Sequence, residues 1–302
     1  MKIKALKTLI YGLSAFVICF CFFPSISQAS IKNDTVVNSG FKVKTIIIDA
    51  GHGGTRPNYK GHFSLGASGS FSTERGVTLA IAKKLQAAIE KQLDGVKVVM
   101  TRETEEDVSW ERRAEIANEN KGNVFISIHC NSLSDRVISE RVGTRRGKAI
   151  YSTRRVPDRS GKGVLMLVYG SHRLIEEKNA IKNNKIQEGE SELDVAVDPN
   201  DPVTAILINE YTKKFRRQSI NLANLINTEF VDNDGRRSEG IREQGVYILY
   251  HCAMPSVLVE TGYINNPDDE EYLNSENGQN EIVASIVRAL KQYKNKAENI
   301  SN

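Results

Sequence analysis

The chain has 302 residues, 40% hydrophobic and 26% charged, an ordinary globular composition whose length suits one large domain or two small ones. Its net charge of +4 falls to near +1 once Lys2, Lys4 and Lys7 are set aside as part of an acid-free leader, which argues against nucleic acid as the main partner. Beyond that leader only Cys130 and Cys252 remain, too few for a disulfide framework.

Residues 1–29 read as an export signal. Lys2, Lys4 and Lys7 form a basic start, residues 8–23 are nearly all apolar, and Pro24 breaks the run. Ser27-Gln28-Ala29 supplies small residues for cleavage before Ser30. An uncleaved anchor is the alternative, but the run is short beside the roughly 17–25 residues a membrane span needs. Cys19 and Cys21 follow bulky Ile18 and Phe20, which argues against lipidation. Export places the protein across the inner membrane, in the periplasm, with no stable span after cleavage. There Cys130 and Cys252 either pair or stay two separate buried thiols, the plainer reading.

Residues 30–41 read as a linker. The run Ile46-Ile47-Ile48 closes a first strand over 41–49, and the Gly-rich turn Gly51-His52-Gly53-Gly54 follows it. The end of such a buried strand is where α/β sheets bind ligands. A polar loop over 55–73 leads to a helix from Glu74, with Thr73 at its N-cap and an apolar face running from Val77 to Leu93. Residues 96–101 form a second strand. A helix over 109–120 buries Trp110, Ala114 and Ala117. A third strand, 124–128, ends in His129-Cys130-Asn131.

Residues 133–147 are basic and irregular, 148–152 form a strand, and 163–180 carry a helical pattern. A polar loop over 182–202 precedes a long helix over 203–230. Residues 246–249 read as a short strand and 256–260 as a buried one ending in Glu260. Asn265-Asn266-Pro267 reads as a turn, and a last amphipathic helix spans 276–293. The sum is one α/β domain with a central mixed, mostly parallel sheet flanked by helices. It covers 42–296, with a long insertion-containing region at 133–237 and a tail at 297–302.

Three strand ends and one helix start thus carry His52, Glu74, His129 and Glu260. Two histidines and a carboxylate are the ligand set of many catalytic zinc sites, with the fourth position left for water. A further carboxylate beside such a site can take a proton from that water and pass it to a leaving amine. Taken alone, two histidines at strand ends can equally be loop residues.

Four ordered motifs turn that pattern into a resemblance. Asp49-Ala50-Gly51-His52-Gly53-Gly54 resembles the opening motif of the zinc-dependent N-acetylmuramoyl-L-alanine amidases. Thr73-Glu74-Arg75 stands where that family's second ligand precedes its first helix. Ser127-Ile128-His129-Cys130-Asn131 resembles the third motif, and the run from Met254 to Pro267 resembles the last. The likeness runs from about Thr45 to Tyr293. It implies zinc held by His52, Glu74 and His129, with Glu260 as general base and acid. The implied reaction is hydrolysis of the amide joining N-acetylmuramic acid to L-alanine of the peptidoglycan stem peptide. A silent wall-binding protein or a zinc peptidase cutting within the stem are the alternatives; retention of all four residues argues against the first.

The loop between His52 and Glu74 is longer than is usual in that family, and Cys130 stands where the family usually has alanine. Strand alternation points Cys130 away from His129, so it is not a ligand. Related enzymes can cover the site with an inserted helix until an activator protein displaces it. Glu188, Glu190 and Glu192 are candidates for such a cover, with a solvated loop as the default.

Other residues keep two readings. Arg75 suits a substrate carboxylate or a salt bridge at its helix end. Asn131 orients substrate or makes a turn. Asp49 supports a ligand histidine or caps the loop after its strand. His62 and His172 read as exposed, and His251 as core or loop filling.

Overall fold

The computed structural model describes residues 42–54, 64–188 and 202–299. The expected leader, the linker, His62, Glu190 and Glu192 lie outside the described residues. In chain order the elements are β1 (Thr45–Ala50), α1 (Glu74–Gln92), β2 (Lys97–Met100), α2 (Trp110–Glu119) and β3 (Val124–Asn131). Next come β4 (Arg136–Arg145), β5 (Lys148–Val156), β6 (Val164–Tyr169), α3 (Leu174–Glu188) and α4 (Pro202–Thr228). The chain closes with β7 (Ser238–Gln244), α5 (Tyr247–His251), β8 (Ser256–Tyr263), α6 (Pro267–Asn274) and α7 (Glu276–Asn299). Among the described residues, no helix is long and apolar enough to cross a membrane.

Six strands form one mixed sheet in the order β2-β1-β3-β8-β6-β7. All neighbours are parallel except β8 and β6. A sheet covered on both faces needs strands that are apolar on both sides, and the runs of β1 and β6 are buried throughout or nearly so. Alternate residues then part to opposite faces. Ile46, Ile48, Ile126 and Val259 pack with α1, α4 and α7. Ile47, Phe125, Leu165 and Leu258 pack with α2 and α5. Truncating a fully buried residue such as Leu85 or Ile286 to alanine would cost about 2–5 kcal/mol.

The parity matters for the site. Asp49, Ser127 and His129 share the face of Ile47 and Phe125, and Glu260 shares that of Leu258. The sheet therefore brings them to the α2–α5 side at the C-terminal ends of β1, β3 and β8. α1 covers the other face and starts at the same edge.

Several elements depart from the sequence reading. Residues 164–169 form a central strand, because a short wholly apolar run has no periodicity to separate strand from helix. Residues 247–251 form a short helix and not a strand. β7, absent from the expectation, pairs with β6. Asn266 is the N-cap of α6: its side chain accepts from the Asp268 and Asp269 amides, with Pro267 in the first turn. Residues 136–156 form an antiparallel ribbon, where the sequence suggested irregular chain followed by one short strand. Trp110 is 60% exposed, and Arg113 takes the inner face of α2 instead. Because β6 belongs to the sheet and α4 to the core, the span 133–237 holds structural elements of the domain itself.

Candidate metal centre and active site

β1 delivers the chain to His52 in a left-handed conformation, with φ of 57°. That backbone is costly for a residue with a side chain, and several groups hold it. Arg113 donates to the carbonyls of Ala50, at 2.7 Å, and of His52. Arg102 donates to the carbonyls of Ala50 and Gly51, and Thr78 adds a bond of 2.8 Å to Gly51. Gly51 has a steric reason of its own: a Cβ there would lie 2.4 Å from Nε2 of His129. Gly53 and Gly54 instead make room for the backbone at 105–107, so their role is packing rather than clearance for a substrate.

His52 and His129 meet edge to face, with ring centroids 4.8 Å apart. Glu74 sits between them. Its Oε1 lies 3.2 Å from His52 Nε2 and 3.0 Å from His129 Nδ1. One donor atom from each of the three residues fits within 4.8 Å of the others, a grouping able to hold a metal ion. The other nitrogen of His52, Nδ1, lies 2.9 Å from Ser64 Oγ, which fixes the ring plane.

The Glu74 carboxylate is held at both oxygens, one by the long loop before it and the other by β3. The Ala67 amide donates to Oε2 at 2.8 Å, and the Cys130 amide donates to Oε1 at 3.0 Å. The loop is itself clamped by Glu270 of α6, which accepts from the amides of Ser70, Phe71 and Ser72 and from the Ser72 hydroxyl. Burial works to raise the Glu74 carboxyl, but bonds with His129 and His52 outweigh it and hold the group far below the usual carboxylate range. Burial likewise works to lower His129, and its bond to Glu74 together with the charge of Glu260 raises it.

Glu260 is the ladder partner of His129 across β3 and β8, and of Leu165 across β8 and β6. It stands between a histidine and an apolar side chain. Burial raises its carboxyl, the charge of His129 opposes this, and Glu74 adds to it, with the result pushed up to about 7. Its Oε2 is buried and has no hydrogen-bond partner. Such an orphan costs free energy unless something else binds it, and Glu260 shares the sheet face of His129 at this edge.

The remaining expected residues fall as follows. Arg75 pairs with Glu105 at 3.5 Å. The Asn131 side chain accepts from the Ser132 amide, and its backbone carbonyl accepts from Ile264. Asp49 does not reach a histidine. It accepts from Arg113, Thr101 and Ser127 at 2.6–2.7 Å, and so acts through Arg113 on the His52 loop. Cys130 and Cys252 are separate buried thiols. His251 stacks on Tyr247 at 3.9 Å, and His172 is exposed.

Arg113 and Glu270 are positioning residues that the sequence reading passes over. Arg113 has a signal, a cation on the inward face of α2 beside Ala114 and Ala117. Glu270 has none, because its partners lie about two hundred residues away. A cleft of about 300 Å³ opens beside His52 and His129 and is lined also by Trp110, Val246, Tyr247 and Leu258.

Comparison with known proteins agrees with this arrangement. The family model described as N-acetylmuramoyl-L-alanine amidase matches residues 46–292. A protein of Buchnera aphidicola subsp. Baizongia pistaciae that carries the same amidase name is 32% identical, over 82% of this chain and 95% of its own length. N-acetylmuramoyl-L-alanine amidase AmiC of Escherichia coli is 27% identical over 82% of this chain, which spans about half (52%) of that longer protein. The crystal structure of an N-acetylmuramoyl-L-alanine amidase from Clostridium difficile covers 84% of this chain and 97% of its own, with a TM-score of 0.53 at 23% identity, and shares the fold. Since the matched span takes in all six strands of the sheet and every residue gathered at its edge, the chain belongs to the N-acetylmuramoyl-L-alanine amidase family.

Proposed function

We propose that this protein is an exported zinc hydrolase that cleaves the amide between N-acetylmuramic acid and L-alanine in peptidoglycan. The observation that carries the reading is the pairing of His129 with Glu260 across β3 and β8, which sets an unpartnered carboxylate oxygen beside the His52–Glu74–His129 cluster. His52, Glu74 and His129 would hold the ion, and a bound zinc supplies Lewis acidity toward a carbonyl and lowers the pKa of water.

The chain's own groups do the rest. Amides of Ala67 and Cys130 fix the Glu74 carboxylate, and Ser64 fixes the His52 ring. Glu260 is held near neutral pH, so it can accept a proton from the attacking water and return it to the departing alanine nitrogen. Residues 1–29 would export the protein, and it would act on the wall in the periplasm.

The test is a digest of purified peptidoglycan by the pure protein, with and without a chelator, read by mass spectrometry. The expected products are intact stem peptides with a free L-alanine amine, and none in chelator. Fragments cut within the stem would make the protein a peptidase, and unchanged activity in chelator would remove the metal assignment.

A further inference from the structure

β4 and β5 pair only with each other, in an antiparallel ribbon that does not join the main sheet. Every residue of both strands is exposed except Ile138, Gly143 and Val156, which are half-buried. An isolated two-stranded ribbon is marginal in water, since neither face is covered. This one is also strongly charged. Residues 136–156 hold seven Lys and Arg against a single acid, Glu140, a surplus of six that exceeds the +4 of the whole chain. Glu140 is taken by Arg154, and Arg136 pairs with Asp158 just beyond the ribbon. Arg145, Arg146 and Lys148 at the tip have no acidic partner among the described residues.

The ribbon is rooted at the rim of the candidate site. Its first flank leaves β3 just after His129. Asn265, just after β8, donates to the carbonyls of Leu133 and Asp158, at 2.9 and 3.0 Å, and so clasps both legs. Asn266 adds a bond to the carbonyl of Arg159 at 2.9 Å. The strands that carry His129 and Glu260 therefore fix the base of the basic arm.

The charge calls for a polyanion, and the distribution of apolar groups selects which. An element that lies in a bilayer gathers its apolar side chains on one face and its cations on the other. Here the cross-strand pairs mix them: Val137 opposes Arg155, Ile138 opposes Arg154, and Arg141 opposes Tyr151. Adjacent pairs point to opposite faces, so both faces carry arginines interleaved with apolar groups. Guanidinium groups bind planar carboxylates through two parallel bonds. We infer that the β4–β5 ribbon is a docking arm for the carboxylate-bearing stem peptides of the wall polymer, which it seats across the site at its root. This rests on the proposed peptidoglycan substrate.

The experiment compares the full protein with the triple variant Arg145→Gln, Arg146→Gln, Lys148→Gln, checked for folding by circular dichroism. Each is pelleted with insoluble peptidoglycan over a salt series, and separately with phosphatidylglycerol vesicles. The parent is expected to bind peptidoglycan with an affinity that falls as salt rises. The variant should bind roughly tenfold more weakly, as the loss of three exposed charge contacts implies. Equal pelleting of parent and variant with peptidoglycan would overturn the inference. So would a loss confined to the vesicles, which would make the ribbon a membrane element. Cleavage of a soluble muropeptide by the parent reports separately on the amidase reading, so failure of one is distinct from failure of the other.

Discussion

His129 and Glu260 face each other across two parallel strands, at the point where β3 and β8 reach the open edge of the sheet. Neither residue depends on a flexible loop for its place. Their spacing is set by the ladder, and the ladder is set by the buried runs that precede them, Val124 to Ile128 and Ser256 to Val259. His52 and Glu74 approach this fixed pair from a loop and a helix start. Those two positions carry most of the supporting hydrogen bonds.

Arg113 is the first support to test. It is buried, pairs with buried Asp49 at 2.7 Å, and donates to three backbone carbonyls, of Ala50 at the end of β1 and of His52 and Val108 in the loops. Arg113→Ala would leave a buried carboxylate without its cation, which costs about 3–5 kcal/mol. Urea unfolding should show that loss. Arg113→Lys should recover little of it, because an ammonium cannot copy the planar fork. A change below about 1 kcal/mol in the alanine variant would show that the pair does not hold the loop.

Glu270 offers a second test, remote from the site in sequence. Four donors converge on its carboxylate, and burial, which works to raise it, is outweighed by them so that the group sits below its ordinary value. Glu270→Gln puts an amide donor among these donors and should cost about 1–3 kcal/mol. The loop it clamps leads into Glu74, so zinc titration should show weaker binding along with a lower melting temperature. A variant that melted early yet bound zinc as tightly as the parent would separate the loop from the metal centre.

Much of this fold is legible in sequence because the strands that carry the site are short, β-branched and buried on both faces, a pattern that needs no partner to be recognised. His52, His129 and Glu260 each follow such a run. The supports are harder to see. Glu270 meets residues 70–72, and Asp49 meets Arg113, only through the tertiary fold. β6 is misread as helix because Val-Leu-Met-Leu-Val-Tyr fits either form, and the β4–β5 ribbon shows no clean alternation because arginines occupy both of its faces. Trp110 is expected inside, but the demand of Asp49 for a cation gives the inner face of α2 to Arg113.

Trp110 is the only tryptophan in the chain and lines the cleft beside the two histidines. Its fluorescence should therefore change when a soluble muropeptide is titrated into the protein. Trp110→Ala should raise KM by roughly three- to tenfold with kcat little changed, the effect of losing one aromatic contact. A lower kcat at constant KM would place Trp110 in the chemistry rather than in binding.

Glu177 governs a pH effect away from the site. Burial raises its carboxyl, the Tyr169 hydroxyl and Arg216 oppose this, and the group is pushed from 4.5 up to about 8. Between those values the folded state keeps a proton that the unfolded state has released. Its contribution to stability is thus fully present below 4.5 and is lost as pH rises toward 8. Glu177→Gln keeps the shape without the titration. Parent and variant should melt together at about pH 5, and the variant should melt higher at about pH 8. A gap that does not change with pH would mean that Glu177 is ionised throughout.

The division of labour between the donor cluster and Glu260 is tested most directly by one variant, Glu260→Gln, assayed for zinc content and for release of stem peptide from peptidoglycan on the same preparation. Zinc should stay at the parental level, on the order of one ion per chain, with cleavage slowed by roughly 10²- to 10⁴-fold. A variant that holds zinc and still releases stem peptide as fast as the parent would contradict that division of labour.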